Sequence, residues 1–272
     1  MTIEMEPTGE RLIEEHYQKT LPGYVIYLMH AASYAFAESF CKGKRVLDFG
    51  CGSGYGAARI AESAKEVWAV DVSTTAIEFA ISNYSKPNIH FETIETSGQI
   101  PLPNGSIDVV ISFQVIEHIR NAPEYLAEAA RVLKNEGTLL LITPDRRVRL
   151  LPYQKPWNRW HVHEYDSQSL QNLTETNFHI CNLLSMGASS EVARVETKRY
   201  NFLKWITLPV TFPGVPEILR SHGLNLLHQL HRLIKNKKTH HFDPDFGLES
   251  IEIQTRVCHP LNIVIVATPR SR

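Results

Sequence analysis

Residues 45–56 of this 272-residue chain, Arg-Val-Leu-Asp-Phe-Gly-Cys-Gly-Ser-Gly-Tyr-Gly, constrain its fold more than any other stretch. The apolar run 45–49, with an acid near its end, reads as a buried strand. It passes directly into a turn with glycine at every second position: Gly50, Gly52, Gly54 and Gly56. A helical pattern follows over 57–63, and a second apolar run, 67–70, ends in Asp71. Glycine tolerates positive φ and lets another group lie against bare backbone. A strand, a glycine turn, a helix and a second strand closed by an acid about 20 residues on form a βαβ unit able to grip a ribose.

Charge narrows the choice of nucleoside. A dinucleotide site takes G-x-G-x-x-G and sets a pyrophosphate on the helix N-terminus. Here the glycines alternate, and Asp48 stands just before them. A carboxylate repels a pyrophosphate but attracts an ammonium. S-adenosylmethionine (SAM) carries an ammonium and a sulfonium and no phosphate, so the acid and glycines suit it better. From about Lys44 to Glu164 the chain resembles the class I SAM-dependent methyltransferases. That resemblance implies an α/β fold: a Rossmann-like, doubly wound, seven-stranded and mostly parallel sheet.

Strand and helix patterns alternate as such a sheet requires. Runs 89–93 and 107–112 read as the third and fourth strands, 73–83 and 122–133 as helices, and 137–143 as the fifth strand. Residues 144–164 form a long loop at the carboxyl edge, where open α/β sheets bind ligands. Runs 178–187 and 261–267 read as the last strands. Residues 1–43 read as a helical cover, and 44–272 as the main domain with a helical insertion over about 191–257. Within that insertion, residues 198–241 carry eight Lys and Arg against the single acid Glu217. A basic segment of this kind is either a solvated face, a cap over an anionic acceptor, or a peripheral contact with a membrane.

Global composition points away from nucleic acid as a partner, with a net charge of −1 and 43% hydrophobic residues. The four cysteines form no C-x-x-C pair, so neither a zinc site nor a disulfide framework is indicated; no metal is expected, and a reduced, cytoplasmic setting follows. The acidic first 15 residues lack the pattern of a signal peptide. The apolar run 21–40 contains His30, Glu38 and several Ser and Tyr, and reads as a core-facing helix rather than a transmembrane segment.

The resemblance assigns the cofactor site to Asp48 at the methionine end, Gly50, Gly52 and Gly54 against the ligand, Asp71 and Val72 at the ribose, Thr96 and Ser97 at the adenine, and Gln114 near the sulfonium. Thr96 stands where relatives often carry an Asp. Further on, Thr143-Pro144-Asp145 and Asn158-Arg159-Trp160-His161-Val162-His163-Glu164 resemble a Thr-Pro-Asn…Asn-Pro-Phe-His-x-x-Glu pattern of bacterial methyltransferases linked to surface-glycan biosynthesis. Asp145, Arg159 and Trp160 depart from it. Thr8-Gly9-Glu10-Arg11 and His30…Tyr34 match the same group, with Ser33 in place of an expected Arg.

A sugar hydroxyl is a poor nucleophile until its proton is removed, and imidazole, with a reference pKa of about 6.5, is a suitable base. His161, oriented by Glu164, is the first candidate, with His118 and His163 as alternates. Glu117 and His118 otherwise cap a helix. The expected activity is methyl transfer from SAM to a hydroxyl of a sugar, nucleotide sugar or lipid-linked glycan. A quinone or small-phenol O-methyltransferase and a SAM-binding regulatory protein without turnover are the alternatives.

Overall fold

A computed structural model describes residues 20–95, 98–235 and 244–270. Its strands are β1 (Arg45–Phe49), β2 (Glu66–Asp71), β3 (Ile89–Thr93), β4 (Ile107–Phe113), β5 (Leu133–Pro144), β6 (Phe178–Ala188), β7 (Ile251–Gln254) and β8 (Pro260–Pro269). They form one eight-stranded sheet in the order β3-β2-β1-β4-β5-β8-β6-β7. β1 to β5 are mutually parallel, whereas β8 runs antiparallel between β5 and β6.

The sheet therefore has eight strands rather than seven. The addition is β7, inside the segment expected to be wholly helical, pairing antiparallel with the outer edge of β6. Its Ile-Glu-Ile-Gln alternation has the period of a half-buried strand. Four residues are too few to stand out from a helical neighbourhood.

Alternation along β1 assigns its side chains to the two faces. Val46 enters one core with Ile60 and Ile111, and Leu47 enters the other with Val110 and Leu126. Helix α1 (Leu21–Cys41) covers the first face, burying Val25, Met29, Ala37 and Cys41. It is capped at Thr20, whose hydroxyl accepts the Gly23 N–H at 3.2 Å, and Pro22 occupies its first turn. Helix α2 (Tyr55–Ile60) starts inside the glycine run, two residues earlier than its sequence pattern suggests. α3 (Thr74–Tyr84) follows β2, and α4 (Ala122–Val132) backs the second face.

Beyond β5 the chain forms the single turn α5 (Arg146–Arg149), then α6 (Ser167–Thr174). The insertion contributes α7 (Ser190–Ile206), α8 (Leu208–Thr211) and α9 (Glu217–Lys235). Among the described residues no helix is long and apolar enough to cross a membrane. Because β1, β2, β4 and β5 are parallel, Gly50, Asp71, Gln114 and the loop after Pro144 all emerge at one edge of the sheet.

Candidate active site

At that edge the glycine loop is tied to β2 by backbone. Gly50 and Cys51 donate to the Val70 carbonyl at 2.8 and 3.0 Å. Asp71 accepts the Gly52 N–H at 3.0 Å on one oxygen and the Ser73 N–H at 2.8 Å on the other. A carboxylate has about four acceptor positions, so room remains for a ligand's hydroxyls. The acid thus orders the loop and keeps acceptor positions open. Val72, beside it, is exposed.

The glycines do different things. Gly52 has φ +54°, and a Cβ there would meet nothing within 4 Å. Its outer side is open space. A Cβ on Gly54 would come within 2.6 Å of the Ala80 methyl, and one on Gly50 within 2.5 Å of Val115. Those two are small because the protein packs against them, which corrects the expectation that all three keep space clear for a ligand.

Asp48 is 1% exposed. Its Oδ2 accepts the Tyr34 hydroxyl at 3.1 Å, and the Tyr34 ring stands over Gly56 and packs edge-on to Phe113 at 5.2 Å. Burial raises the Asp48 carboxyl to about 7, against the Tyr34 hydrogen bond that lowers it. Asp48 is therefore shielded beneath the loop rather than presented at its surface. Thr96 and Ser97 lie outside the described residues, as do Thr8, Gly9, Glu10 and Arg11.

The other half of the site begins at Gln114, a non-glycine residue at φ +57° whose N–H donates to the Ile142 carbonyl at 2.8 Å. Strain at such a position is of order 1–3 kcal/mol and clusters where function demands it. Val115 packs on Gly50, which joins this half to the glycine loop. A 3-10 turn, Ile116–His118, follows. The buried Glu117 accepts the Thr143 hydroxyl at 2.9 Å, and its carbonyl accepts the Val162 and His163 N–H groups. His118 Nδ1 is 3.1 Å from the Trp160 carbonyl.

His161 is 4% exposed, with Nδ1 2.8 Å from Glu164 Oε1, and its ring meets that of His118 edge-on at 4.8 Å. Asn158 builds the turn before it, taking the Trp160 N–H on its side chain and the His161 N–H on its carbonyl. The Arg149 guanidinium grips Glu164 twice, at 3.0 and 3.1 Å. Burial alone would raise the Glu164 carboxyl, but Arg149 and the His161 hydrogen bond outweigh it and bring it to about 2. His163, the other alternate, is exposed and lies against Tyr165, outside this cluster.

Arg149 is the residue that sequence reasoning missed. In the run Arg-Arg-Val-Arg nothing separates it from its less buried neighbours; only its burial, with the guanidinium 4.3 Å from the Trp157 ring and 5.1 Å from that of Tyr200, does so. Trp157 anchors the loop, and its indole N–H donates to the Arg149 carbonyl at 3.1 Å. The insertion holds the same loop. Gln154 donates to Lys204 O and Thr211 Oγ1 at 2.8 Å each, Arg220 donates to Pro156 O at 2.7 Å, and Arg159 to Asn225 Oδ1 at 2.9 Å.

Comparison with known proteins agrees with this geometry. A methyltransferase domain family model matches residues 47–141. A protein of Mycolicibacterium smegmatis described as a probable S-adenosylmethionine-dependent methyltransferase is 31% identical over 196 residues, spanning 70% of this chain and 72% of that one. A ubiquinone biosynthesis O-methyltransferase of Rickettsia typhi is 29% identical over 170 residues, 58% of this chain and 68% of that one. In three dimensions, a SAM-dependent methyltransferase of Thermotoga maritima, described as a possible histamine N-methyltransferase, superposes with a TM-score of 0.57 at 15% identity, covering 95% of this chain and 96% of that one; it shares the fold.

The residues present suit that cofactor. The open side of Gly52 and the exposed Val72 can be covered by a nucleoside, Asp71 has acceptor capacity left, and no basic side chain stands in the loop to receive a phosphate. The chain belongs to the class I SAM-dependent methyltransferases, with S-adenosyl-L-methionine as its cofactor.

Proposed function

We infer that this methyltransferase methylates a hydroxyl on an amphiphilic, membrane-associated acceptor, a lipid-linked glycan before any other. One observation carries that reading. Around the loop bearing His161, the insertion exposes Phe202, Trp205, Ile206, Phe212, Ile218, Leu219 and Leu226. So many large apolar side chains exposed on consecutive elements mark an interaction site rather than ordinary surface. The excess of Lys and Arg over residues 198–241 suits an anionic lipid surface.

SAM supplies an electrophilic methyl group on its sulfonium. Gly52, Asp71, Val72 and Gln114 would hold it, and the ammonium at the methionine end would favour the charged form of the buried Asp48. Facing them, His161, oriented by Glu164 and flanked by Glu117 and His118, activates the acceptor hydroxyl. The insertion caps this acceptor side. A positioned polar group of this kind contributes about 10²–10⁴-fold.

The likeness to a ubiquinone biosynthesis O-methyltransferase supports a second reading, a quinone-like phenol as acceptor. Phenols lose their proton more readily, so that reaction would depend less on His161.

Flotation with vesicles containing phosphatidylglycerol tests the membrane reading, with labelled methyl transfer into extracted lipid-linked glycans as the activity readout. Replacing Trp205, Ile218 and Leu219 by Ser should release the protein from vesicles and lower transfer to the lipid-linked acceptor, while SAM affinity is unchanged. Vesicle binding that survives the triple substitution would overturn the assignment of this face.

A further inference from the structure

We propose that Glu117, His118 and His161 form a divalent-cation site on the acceptor side, of the mixed nitrogen-and-oxygen class that Zn²⁺, Fe²⁺, Co²⁺ and Mn²⁺ share. Each of the three offers a ligand atom within 4.8 Å of the other two. Donors bound about 2 Å from a common centre lie at most about 4 Å apart, so ligand atoms at the outer limit of that spacing would draw in by about 1 Å on binding.

The surroundings of each ligand argue the same way. Histidines that bind metals donate their second ring nitrogen to a carboxylate or carbonyl, which sets tautomer and ring orientation. Both rings are held so. His161 Nδ1 is on Glu164 at 2.8 Å, and His118 Nδ1 is on the Trp160 carbonyl at 3.1 Å. A carbonyl only accepts, so His118 directs its Nδ1–H at it, and Nε2 is the ring nitrogen left to serve as a ligand atom. The Glu164 carboxylate likewise takes an N–H from His161 Nδ1.

Glu117 supplies the third argument. It is 1% exposed and takes the Thr143 hydroxyl at 2.9 Å. Among the described residues no arginine or lysine pairs with it. Buried carboxylates are paired with cations or bind metals. The buried Arg149 guanidinium is engaged by Glu164 in a two-point contact. A cation between Glu117 and the two imidazoles would satisfy it.

Two imidazoles and one carboxylate leave coordination positions open. An acceptor oxygen bound there loses its proton to solvent more readily, because the cation's charge lowers its pKa. This deepens the proposed acceptor site and rests on that reading only for the role of the cation; whether the cation binds is independent of it.

The test uses the full chain, stripped with chelator and titrated with Co²⁺, followed by visible absorption and by calorimetry. One saturable equivalent is expected in the wild type. His118→Ala and Glu117→Gln should each weaken it at least tenfold. His90→Ala, on the far strand β3, should leave it intact, and the variants together separate this site from the histidines of the insertion. His118 is partly exposed, so its variant should also retain the wild-type melting temperature in the absence of metal. No saturable binding, or binding unchanged in both ligand variants, overturns the site. Methyl transfer in chelator should fall at least tenfold and return with Co²⁺ or Mn²⁺. If the cation binds but transfer ignores it, its activating role is overturned; if no hydroxyl acceptor is methylated with metal present, the O-methyl reading fails while the site stands.

Discussion

The glycine loop and the histidine cluster both lie at the carboxyl edge of the sheet, yet they are assembled in opposite ways. Nearly everything in the loop lies between Asp48 and Ser73, and its hydrogen bonds run between neighbouring parallel strands. The cluster takes Glu117 and His118 from the end of β4, Thr143 from β5, Arg149 to Glu164 from the following loop, and Tyr200 from the insertion. A site made of local backbone resists distant changes. One made of side chains from four segments depends on each buried partner. Damage to one half should therefore leave the other working.

His161→Ala offers the largest expected break. Transfer should fall by about 10²–10⁴-fold, with SAM affinity by calorimetry little changed. A parallel loss of SAM binding would mean that the two halves are not separable.

Arg149→Ala should follow closely. It leaves the buried Glu164 carboxylate without its guanidinium, a loss of about 3–5 kcal/mol for such pairs. Thermal melting should drop and transfer should fail. The wild-type pair has its own signature: because the Glu164 carboxyl is lowered to about 2, its contribution is present above the ordinary carboxylate range and disappears only as pH falls toward 2.

Asp48 should give the opposite slope. Its carboxyl is raised to about 7, so the folded state is favoured most when it is protonated. Stability should decline as pH rises from about 4 to about 7, by an amount on the order of 4 kcal/mol. Chemical denaturation across that range in Asp48→Asn should lack this slope. An identical slope in the variant would assign the titration to another group.

Asp71→Ala should weaken SAM binding tenfold or more, since a hydrogen bond to a charged acceptor contributes about 1.5–3 kcal/mol. Transfer at saturating SAM should fall far less than in His161→Ala. Wild-type affinity would reduce Asp71 to a brace for the Gly52 and Ser73 amides.

Much of the cofactor half is legible in the amino-acid order. Asp48, the alternating glycines and Asp71 lie close together in the chain, and the strand and glycine patterns that position them are local. Even there, the division of labour among the glycines was hidden, because what a Cβ would strike depends on Ala80 and Val115 folding back onto the loop. The Asn158, His161 and Glu164 spacing was also readable, because one tight turn contains it.

The sequence by itself determined the βαβ nucleus, the succession of strands and helices along the chain and the chemistry available near the glycine turn, because hydrophobic period and glycine conformation act over a few residues. Only the tertiary structure decided that Arg149 neutralises Glu164, that Tyr34 covers Asp48, that β7 extends the sheet, and that Glu117, His118 and His161 converge. Those outcomes depend on which polar groups are withdrawn from water together. Burial is a property of the packed whole, and residues identical in type along the chain, such as Arg146 and Arg149, differ only in what surrounds them.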